Sequence, residues 1–542
     1  MRPLQPLIRF ARELHALALA PLRPAPPALA RWEWAAIGLL AATALAFGLP
    51  NLGVPSLWHD ELVHLYVAKN IAEVGWPALP SGNVYPSSTA YNYLLAAFVA
   101  LLGDSEVAAR FPSVLLAACN TLLVYFLARV WLGRPVALLA ALLFATSPWQ
   151  VAWSRQARMY ELQVTAYLAF LYCAWRYFAG ARASAPYWGL GAVAAYLLGL
   201  LTSFHSILFL GAPGLFALGL GWRDRRRDTR WAWALTGCAA LGAITIIALW
   251  LNPNPVDRAA VFQTGLGGTL LDQLRTDRYY YVRFFANNLS IGYLAVAILG
   301  AALLLWRRDR ASIWVLLGFF VPLFVLTYLI GYRRFRFIFF AYPLYVMLGS
   351  CGLLALLGVL RGARRSLLHG LCAALIVIFL SRLAWSSATL LGDSLEAARG
   401  AHTTLAVRHP QWKLPTRWVR ERRQPGEAVL TTTFLPVHHY VGHVDNWFPN
   451  RYTRWEYQES GLEGLDSLEA LKAFLADHPR GYFIAEASRF LMWRHHGALV
   501  KDLGREVDWV ETHMTRIDEA CSDDVTVWRW DFLRDDGAVE IP

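Results

Sequence analysis

The sequence predicts a mainly α-helical bundle that crosses a membrane about eleven times, followed by a small α/β domain outside the membrane. Three observations predict this fold class. Hydrophobic residues make up 57% of the 542-residue chain and charged residues only 16%, whereas roughly a quarter of residues are charged in soluble domains. Long apolar runs recur up to residue 391, and beyond it the sequence becomes charged and amphipathic.

Apolar runs long enough to span a bilayer, which takes about 20 residues, occur at 33–50, 108–129, 135–153, 162–179, 187–203, 206–221, 231–251, 289–306, 312–330, 337–360 and 367–391. The run "YNYLLAAFVALLG" at 91–103 is shorter. It predicts an interfacial or re-entrant helix rather than a further span.

Basic residues between the spans set the predicted topology, because cytoplasmic loops are enriched in Lys and Arg. With the arm 1–32 in the cytoplasm, the Arg-rich segments at 129–134, 182, 223–230, 307–310 and 361–365 all fall on the cytoplasmic side. The predicted domains are this arm, a membrane domain at 33–391 with an outer loop at 51–107, and an outer domain at 392–542. We expect a bacterial inner (plasma) membrane protein whose active site faces the periplasm or the extracellular side.

The net charge of +12 does not indicate a nucleic-acid partner, because the Arg residues lie in short clusters between apolar runs. In the outer domain, "EAVLTTTF" and "GYFIAEA" predict buried strands. The stretch "SLEALKAFLADHP" predicts a helix capped by Ser467 and ended by Pro479.

Three Arg clusters lie on the predicted outer side, against the orientation rule. One reading is that they snorkel to lipid phosphates. Three clusters on one face favour a second reading, a site for a membrane-embedded phosphate, since the guanidinium fork donates paired hydrogen bonds to phosphate. The candidate phosphate-binding residues are Arg110, Arg155, Arg158, Arg333, Arg334 and Arg336.

An acidic pair follows the first span in "SLWHDELVHLYVAKNI". Asp60 and Glu61 could simply favour the start of a helix through its dipole. Held at the outer interface by Trp58, Leu62 and Tyr66, however, Asp60 would face the space over the Arg clusters. A carboxylate placed there can take a proton from an incoming hydroxyl or amine. Asp60 and Glu61 are therefore the candidate catalytic residues.

These motifs in this order resemble the GT-C glycosyltransferases. The Asp-Glu pair, the segment "RPVALLAALLFATSPWQVAWSRQARMY" and the late "YRRFRFIFFAYPLY", with Arg336 and Pro343, are closest to the branch that holds the dolichyl-phosphate-mannose protein mannosyltransferases and the lipid A aminoarabinose transferases (glycosyltransferase family 39-like). The resemblance covers roughly residues 33–360.

The resemblance implies an inverting transfer of a hexose or pentose from a polyprenyl-phosphate donor to a lipid, glycan or protein acceptor. Asp60 would be the general base or position the acceptor, and the Arg residues would hold the leaving phosphate. One stretch departs from the branch: the Glu-Lys-Pro-Pro of aminoarabinose transferases is replaced by "VYPSSTAYN". Possible substrate contacts are His59, Tyr85, Ser87, Ser88, Tyr160 and His205.

No cofactor or metal is predicted, although a divalent metal is compatible with this chemistry. His438, His439 and His443 could bind a metal by composition, but no acidic partner accompanies them. The alternative function is a polyprenyl-lipid or glycolipid transporter or flippase. That class should show mid-span charges and inverted repeats, and neither is visible in the sequence.

Overall fold

The computed structural model describes residues 28–224, 229–251, 278–330, 333–362, 370, 374, 402–404, 407–449, 459–487, 504–534, 536 and 538–542. They form two compact units. The bundle unit consists of the described residues of Met1–Pro50, Pro86–Tyr91 and Phe111–Thr389. The tail unit consists of those of Asn51–Tyr85, Asn92–Arg110 and Leu390–Pro542. Most of the predicted outer loop thus groups with the tail and not with the spans that flank it.

The chain up to residue 362 is mainly helical. Its α-helices are α1 (Arg31–Gly48), α2 (His59–Val74), α3 (Thr89–Leu102), α4 (Glu106–Trp131), α5 (Arg134–Thr146), α6 (Pro148–Ser154), α7 (Tyr160–Ala179), α8 (Ala185–Thr202), α9 (Gly211–Asp224), α10 (Arg230–Leu251), α11 (Tyr280–Phe284), α12 (Ile291–Arg307), α13 (Arg310–Tyr328) and α14 (Tyr342–Gly362). Shorter turns are the 3₁₀ segments Arg182–Ser184, Phe204–Leu210 and Phe335–Ala341 and the π segment Phe285–Ser290.

The predicted count of eleven spans is not confirmed. Among the described residues, six helical stretches are long and apolar enough to cross a membrane, or up to eight if each of two bent pairs is one span. The predicted spans 33–50 and 162–179 form α1 and α7, which are not among these. The predicted span 367–391 lies almost entirely outside the described residues. The chain is nonetheless a multi-pass membrane protein, and the short helix predicted at 91–103 is present as α3.

The predicted span 135–153 is broken. Helices α5 and α6 meet at Ser147 with a bend of 58°. Pro148 cannot donate a backbone hydrogen bond to the preceding turn, so it ends α5 and starts α6. The Ser147 hydroxyl caps α6 by accepting from the backbone N–H of Gln150 at 3.3 Å. The break leads the chain into the segment that carries Arg155 and Arg158.

Helices α12 and α14 approach each other at backbone distance. A methyl group at Gly300 would collide with the carbonyl of Leu348, and one at Gly352 with the carbonyl of Val296. Small residues at such crossings allow close packing where no hydrophobic effect drives helix association. The two glycines therefore fix the position of α14, which follows the Arg333–Arg336 segment in the chain.

The tail unit contains the predicted α/β domain. Its helices are α15 (Lys413–Arg422), α16 (Phe434–Val441), α17 (Leu468–Asp477) and α18 (Gly504–His513). Its strands are β1 (His402–Thr404), β2 (Val407–His409), β3 (Ala428–Thr431), β4 (Asn446–Trp447), β5 (Arg480–Glu486), β6 (Thr515–Arg516) and β7 (Val525–Asp531). Strands β3 and β5 and helix α17 are those predicted, and Ser467 caps α17 by accepting from the N–H of Ala470 at 3.2 Å.

Five strands form a mixed sheet in the order β4-β3-β5-β7-β6. Strands β4, β3 and β5 are parallel, whereas β7 is antiparallel to β5 and to β6. The sheet core includes Leu430, Phe483 and Trp528, and α17 and α18 cover it with Leu471 and Val510. Strands β1 and β2 form a separate antiparallel pair.

The outer loop is anchored to the tail by buried hydrogen bonds. The backbone N–H and the hydroxyl of Ser56 donate to Oε1 of Gln411 at 3.2 and 2.9 Å. The N–H of Leu57 donates to the Tyr440 hydroxyl at 2.8 Å. Because these groups touch, the loop and the tail lie on the same side of the membrane.

Candidate active site

Asp60 lies in the first turn of α2, as predicted. The helix begins after Trp58 and ends at Gly75, which adopts φ +79° and closes the last turn. The Asp60 side chain is 28% exposed, and its Oδ1 lies 3.8 Å from Nδ1 of His59. A carboxylate at a helix N-terminus is favoured in its ionised form. Asp60 is thus a partly exposed carboxyl group at the start of a helix.

Glu61 forms a buried ion pair with Arg110, against the prediction that it shares the catalytic role. Its Oε1 accepts from Arg110 Nε at 2.8 Å and its Oε2 from Arg110 Nη2 at 2.7 Å. The side chains of Glu61 and Arg110 are only 1% and 4% exposed. Neighbouring helix positions project about 100° apart, so Glu61 points into the tail unit while its neighbour Asp60 stays partly exposed.

Arg110 likewise departs from the predicted phosphate-binding set. Its remaining donors go to backbone carbonyls: Nη1 to Leu52 at 2.8 Å and Pro55 at 2.9 Å, and Nη2 to Ser56 at 2.9 Å. An Arg side chain has five N–H donors, and Arg110 uses five for protein oxygens. It therefore organises the turn before α2 and has no donor left for a substrate phosphate in this arrangement.

His59 contacts a residue that the sequence did not single out. Its Nε2 lies 2.9 Å from Oε2 of Glu459, whose side chain is 2% exposed, whereas that of His59 is 19% exposed. The carbonyl of Glu459 accepts from the backbone N–H of Ser81 at 3.1 Å. Glu459 and His59 are 400 positions apart, so no local pattern could have indicated the pair.

A second histidine on α2, His64, is buried and supports the same helix. His64 Nδ1 lies 2.7 Å from Asn92 Oδ1, and both side chains are buried. Tyr85, a predicted substrate contact, packs its ring edge-on to His64 with centroids 6.2 Å apart. These contacts hold the second turn of α2, immediately after the turn that carries Asp60.

In the bundle unit, Arg155 and Arg158 follow the break after α6. Arg155 Nη1 donates to the carbonyls of Gly48 and Pro50 at 3.0 and 2.5 Å, so part of this guanidinium caps the end of α1. Arg158 Nη2 donates to the Tyr160 hydroxyl at 3.3 Å, and the guanidinium lies 5.5 Å from that ring. Both Arg residues are only 7% exposed.

The late Arg cluster precedes α14. Arg334 is exposed, and Arg333 and Arg336 are half-buried. The Tyr281 hydroxyl donates to the Arg334 carbonyl at 3.1 Å. The Phe337 ring stacks on His205 with centroids 4.1 Å apart, and the Arg336 guanidinium lies 5.9 Å from the same Phe337 ring. His205 therefore belongs to the late cluster.

Aromatic contacts connect the two Arg clusters. The Trp153 ring contacts Tyr160 at 4.3 Å and Phe335 at 6.2 Å between centroids. Tyr160 is the partner of Arg158, and Phe335 lies between Arg334 and Arg336 in the chain. In the bundle unit, two of the three predicted clusters therefore adjoin one group of packed aromatic rings, Trp153, Tyr160 and Phe335.

The segment with Ser87 and Ser88 joins the same region of the bundle unit. Ser88 is buried and has φ +57°. Tyr91, three residues on, shares a 3.1 Å hydrogen bond with Ser113, whose hydroxyl donates to the Arg158 carbonyl at 3.4 Å. Tyr85 and Asp60 belong to the tail unit, so the placement of Asp60 over the Arg clusters stays a prediction.

The sequence did not single out the buried carboxyl group of Glu161, three residues after Arg158. Glu161 lies in the first turn of α7, and its Oε2 accepts from Asn120 Nδ2 at 2.8 Å and from Gln150 Nε2 at 3.0 Å. Acidic residues inside apolar bundles are rare and are usually tied to other polar groups. A charged residue at the edge of the apolar run 162–179 was the available signal.

The histidines of the tail serve packing and ion pairing. His438 and His439 lie 5.6 and 6.1 Å from the Tyr66 ring between centroids, and His443 Nε2 lies 2.8 Å from Asp445. Within the described part of the chain, no three His, Cys, Asp or Glu side chains converge in a way that could hold a metal ion.

Part of the chain matches a known protein family. Residues 87–250 match the family described as dolichyl-phosphate-mannose-protein mannosyltransferase. The chain resembles the protein mannosyltransferase and ArnT branch of the GT-C glycosyltransferases. No curated protein sequence matches the chain.

Solved structures share this GT-C fold. ArnT from Cupriavidus metallidurans in the apo state is 13% identical and superposes with a TM-score of 0.59 over 92% of this chain and 98% of that one. ArnT bound to undecaprenyl phosphate gives 0.58 at the same identity and coverage. The oligosaccharyltransferase AglB from Archaeoglobus fulgidus, in complex with an inhibitory peptide and a dolichol-phosphate, is 12% identical with a TM-score of 0.53 over 90% of this chain and 72% of that one.

Proposed function

We propose that the chain is a membrane glycosyltransferase that moves a sugar from a polyprenyl-phosphate donor to an acceptor on the outer side of a bacterial inner membrane. The observation that carries the proposal is that two Arg clusters adjoin the same group of packed aromatic rings, Trp153, Tyr160 and Phe335, inside an apolar bundle. Charged side chains inside an apolar bundle are rare because they are costly, and they commonly mark the place where a substrate or an ion is bound. ArnT and AglB, which share the fold, have been solved with undecaprenyl phosphate and dolichol-phosphate.

The phosphate of the donor would be held by the guanidinium groups of Arg158 and Arg336, together with those of the neighbouring Arg155, Arg333 and Arg334. As the bond between the anomeric carbon and the phosphate oxygen breaks, its electron pair stays on the phosphate. The leaving group thereby gains a negative charge. Arg side chains aimed at that charge lower the barrier, because they are oriented before the reaction begins.

Asp60 would supply the base. The acceptor hydroxyl or amine attacks the anomeric carbon on the face opposite the phosphate, which inverts the configuration, and its proton passes to the Asp60 carboxylate. Such proton transfer contributes about 100- to 10,000-fold in rate. Since the phosphate charge is met by Arg residues, the scheme needs no metal. The acceptor is a lipid, a glycan or a protein, and the sugar is a hexose or a pentose.

The test begins with donor binding to the purified chain, with undecaprenyl phosphate as the probe. Arg336→Ala should weaken binding by about 10- to 150-fold, which corresponds to the loss of about 1.5–3 kcal/mol for a charge-assisted hydrogen bond. Arg310→Ala is the matched control, because Arg310 is exposed at the start of α13 in a predicted cytoplasmic segment. Equal affinity in the two variants would remove the phosphate site.

Turnover is tested with a panel of undecaprenyl-phosphate-linked hexoses and pentoses, mixed with an extract of the cell envelope as the source of acceptor. Release of undecaprenyl phosphate is followed by mass spectrometry. We expect release from one member of the panel and the appearance of the sugar on an envelope component. Movement of the intact lipid across a vesicle membrane without release of the sugar would point to a transporter instead.

A further inference from the structure

We propose that Glu459 is a positioning residue that holds His59 as the group that receives the acceptor proton from Asp60. The inference rests on the proposed function and adds to it a residue from the C-terminal part of the chain. Three side chains carry it: Asp60 and His59 at the start of α2, and Glu459 from the tail. All three belong to the tail unit.

The geometry is that of a carboxylate, an imidazole and a second carboxylate in series. Glu459 Oε2 lies 2.9 Å from His59 Nε2, and His59 Nδ1 lies 3.8 Å from Asp60 Oδ1. An ionised carboxylate can only accept, so Glu459 fixes the proton on Nε2. Nδ1 then carries the lone pair and faces Asp60. A distance of 3.8 Å suits a bridging water or a small rotation of the partly exposed Asp60 side chain.

The burial pattern gives each carboxylate a different task. Glu459 is 2% exposed, whereas Asp60 is 28% exposed. A buried carboxylate stabilises an imidazolium next to it far more than a solvated one does, because the local dielectric is low. The partly exposed Asp60 remains accessible to an incoming acceptor. The pair Glu459–His59 therefore stands behind Asp60 rather than in place of it.

Glu459 is held from two directions. Its side chain contacts His59, and its carbonyl accepts from the N–H of Ser81, which lies in the loop closed by the bridge between Ala78 and Val84. Gly461, at φ +74°, packs against Ser81 immediately afterwards. This double attachment orients the carboxylate with little residual freedom, as a second group behind a catalytic residue requires.

The proton balance is complete without another reactant. The acceptor loses its proton to Asp60 as its oxygen or nitrogen bonds to the anomeric carbon and the phosphate departs with the electron pair. The proton then moves to His59 Nδ1, which forms an imidazolium between two carboxylates and restores the ionised Asp60. The imidazolium gives the proton to solvent before the next turnover.

The test uses the full-length chain and the undecaprenyl-phosphate sugar that the wild type turns over in the panel described above. Glu459→Gln keeps the shape and an oxygen that can accept from Nε2–H, but it loses the charge. We expect kcat to fall about 10- to 100-fold while the affinity for undecaprenyl phosphate stays unchanged. Glu469→Gln, on the exposed side of α17, is the matched control and should keep the wild-type kcat.

Combined variants distinguish a role of Glu459 in proton transfer from a merely structural role. If Glu459 acts through His59 and Asp60, Glu459→Gln should cause no further loss in an Asp60→Asn or a His59→Gln chain. A lost structural contact would instead lower activity by the same factor in every background. Thermal unfolding of Glu459→Gln, compared with the wild type, checks that the tail unit remains folded.

The outcomes distinguish this inference from the function on which it depends. If Asp60→Asn abolishes transfer but Glu459→Gln retains the wild-type kcat, the relay is overturned and the transferase stands. Additive losses in the combined variants overturn the relay in the same way. If the wild type releases no undecaprenyl phosphate from any donor in the panel, the transferase itself fails, and the relay fails with it.

Discussion

Glu61 and Arg110 form a two-point ion pair, with 2.8 Å between Oε1 and Nε and 2.7 Å between Oε2 and Nη2. Three backbone carbonyls before α2 accept the other donors of the same guanidinium. The pair therefore holds the turn that presents His59 and Asp60. We therefore expect its effect on catalysis to be indirect, through the position of the first turn of α2.

Removing either partner of this pair should destabilise the chain rather than remove a chemical step. Glu61→Gln and Arg110→Ala each leave a buried charge or buried carbonyls unsatisfied, which costs about 3–5 kcal/mol. Arg110→Lys should not restore stability, because one ammonium group cannot reproduce the planar fork. Thermal unfolding of the detergent-purified variants measures the effect.

The matched control is the exposed pair of Lys69 and Asp104, whose atoms are 2.6 Å apart but whose side chains are 32% and 50% exposed. Lys69→Met should cost at most about 1 kcal/mol. A wild-type unfolding temperature in Glu61→Gln together with lost transfer would return Glu61 to the catalytic set.

Asp60→Asn should lower the rate of transfer by about 100-fold or more, since it keeps the shape of the side chain and removes the basic group. The affinity for undecaprenyl phosphate should remain, because the Arg residues lie in the bundle unit. The measurement compares kcat and the dissociation constant for undecaprenyl phosphate between Asp60→Asn and the wild type.

Glu73→Gln, exposed near the end of α2, is the control for a lost carboxylate on the same helix. Full transfer by Asp60→Asn would exclude a base at this position. Loss of lipid-phosphate binding in that variant would show that Asp60 serves the donor rather than the acceptor.

The tail unit should lose stability as the pH falls below about 6.5. Burial lowers the pKa of both His438 and His439 from the ordinary 6.5, against the attraction of Glu106 and Asp104 in the case of His439. The folded state then binds fewer protons than the unfolded state, so lower pH favours unfolding. Each histidine contributes a slope of at most about 1.4 kcal/mol per pH unit.

The measurement is thermal unfolding of the full chain between pH 7.5 and 5.5, chosen as roughly one pH unit on either side of the ordinary histidine pKa. Replacing His438 and His439 by Gln should flatten the dependence. The same slope in this double variant would assign the pH sensitivity to other groups.

The outer loop and the tail should be labelled from the same side of the membrane. Their contact at Ser56 and Gln411 requires this. In a chain with its six cysteines replaced, Asn83→Cys and Asp466→Cys, both at exposed positions, should react with an impermeant thiol reagent in intact spheroplasts. Arg182→Cys, in a predicted cytoplasmic segment, should react only after permeabilisation. Reaction of Arg182→Cys together with the other two would contradict the predicted topology.

The sequence by itself determined where the helices and the tail domain lie. Apolar runs report burial in a membrane directly, so nearly every predicted span within the described residues is helical. Pro148 signals the break at Ser147, which the hydropathy of the run alone does not reveal. Strands β3 and β5 and helix α17 followed from local patterns, since burial of one face leaves a period in the sequence. The position of Asp60 after the first apolar run and the order of the Arg clusters can likewise be read directly from the sequence.

Only the tertiary structure decided what each charged residue does. Glu61 and Asp60 are adjacent in the sequence, yet one is buried against Arg110 and the other is partly exposed. Glu459 comes to His59 across 400 positions. Arg158 and the late cluster adjoin the same packed aromatic rings, because Trp153 contacts both Tyr160 and Phe335. Periodicity records whether a side chain faces solvent, lipid or a core, but the free energy of a charge depends on its individual partners. Those partners are fixed only when distant segments pack.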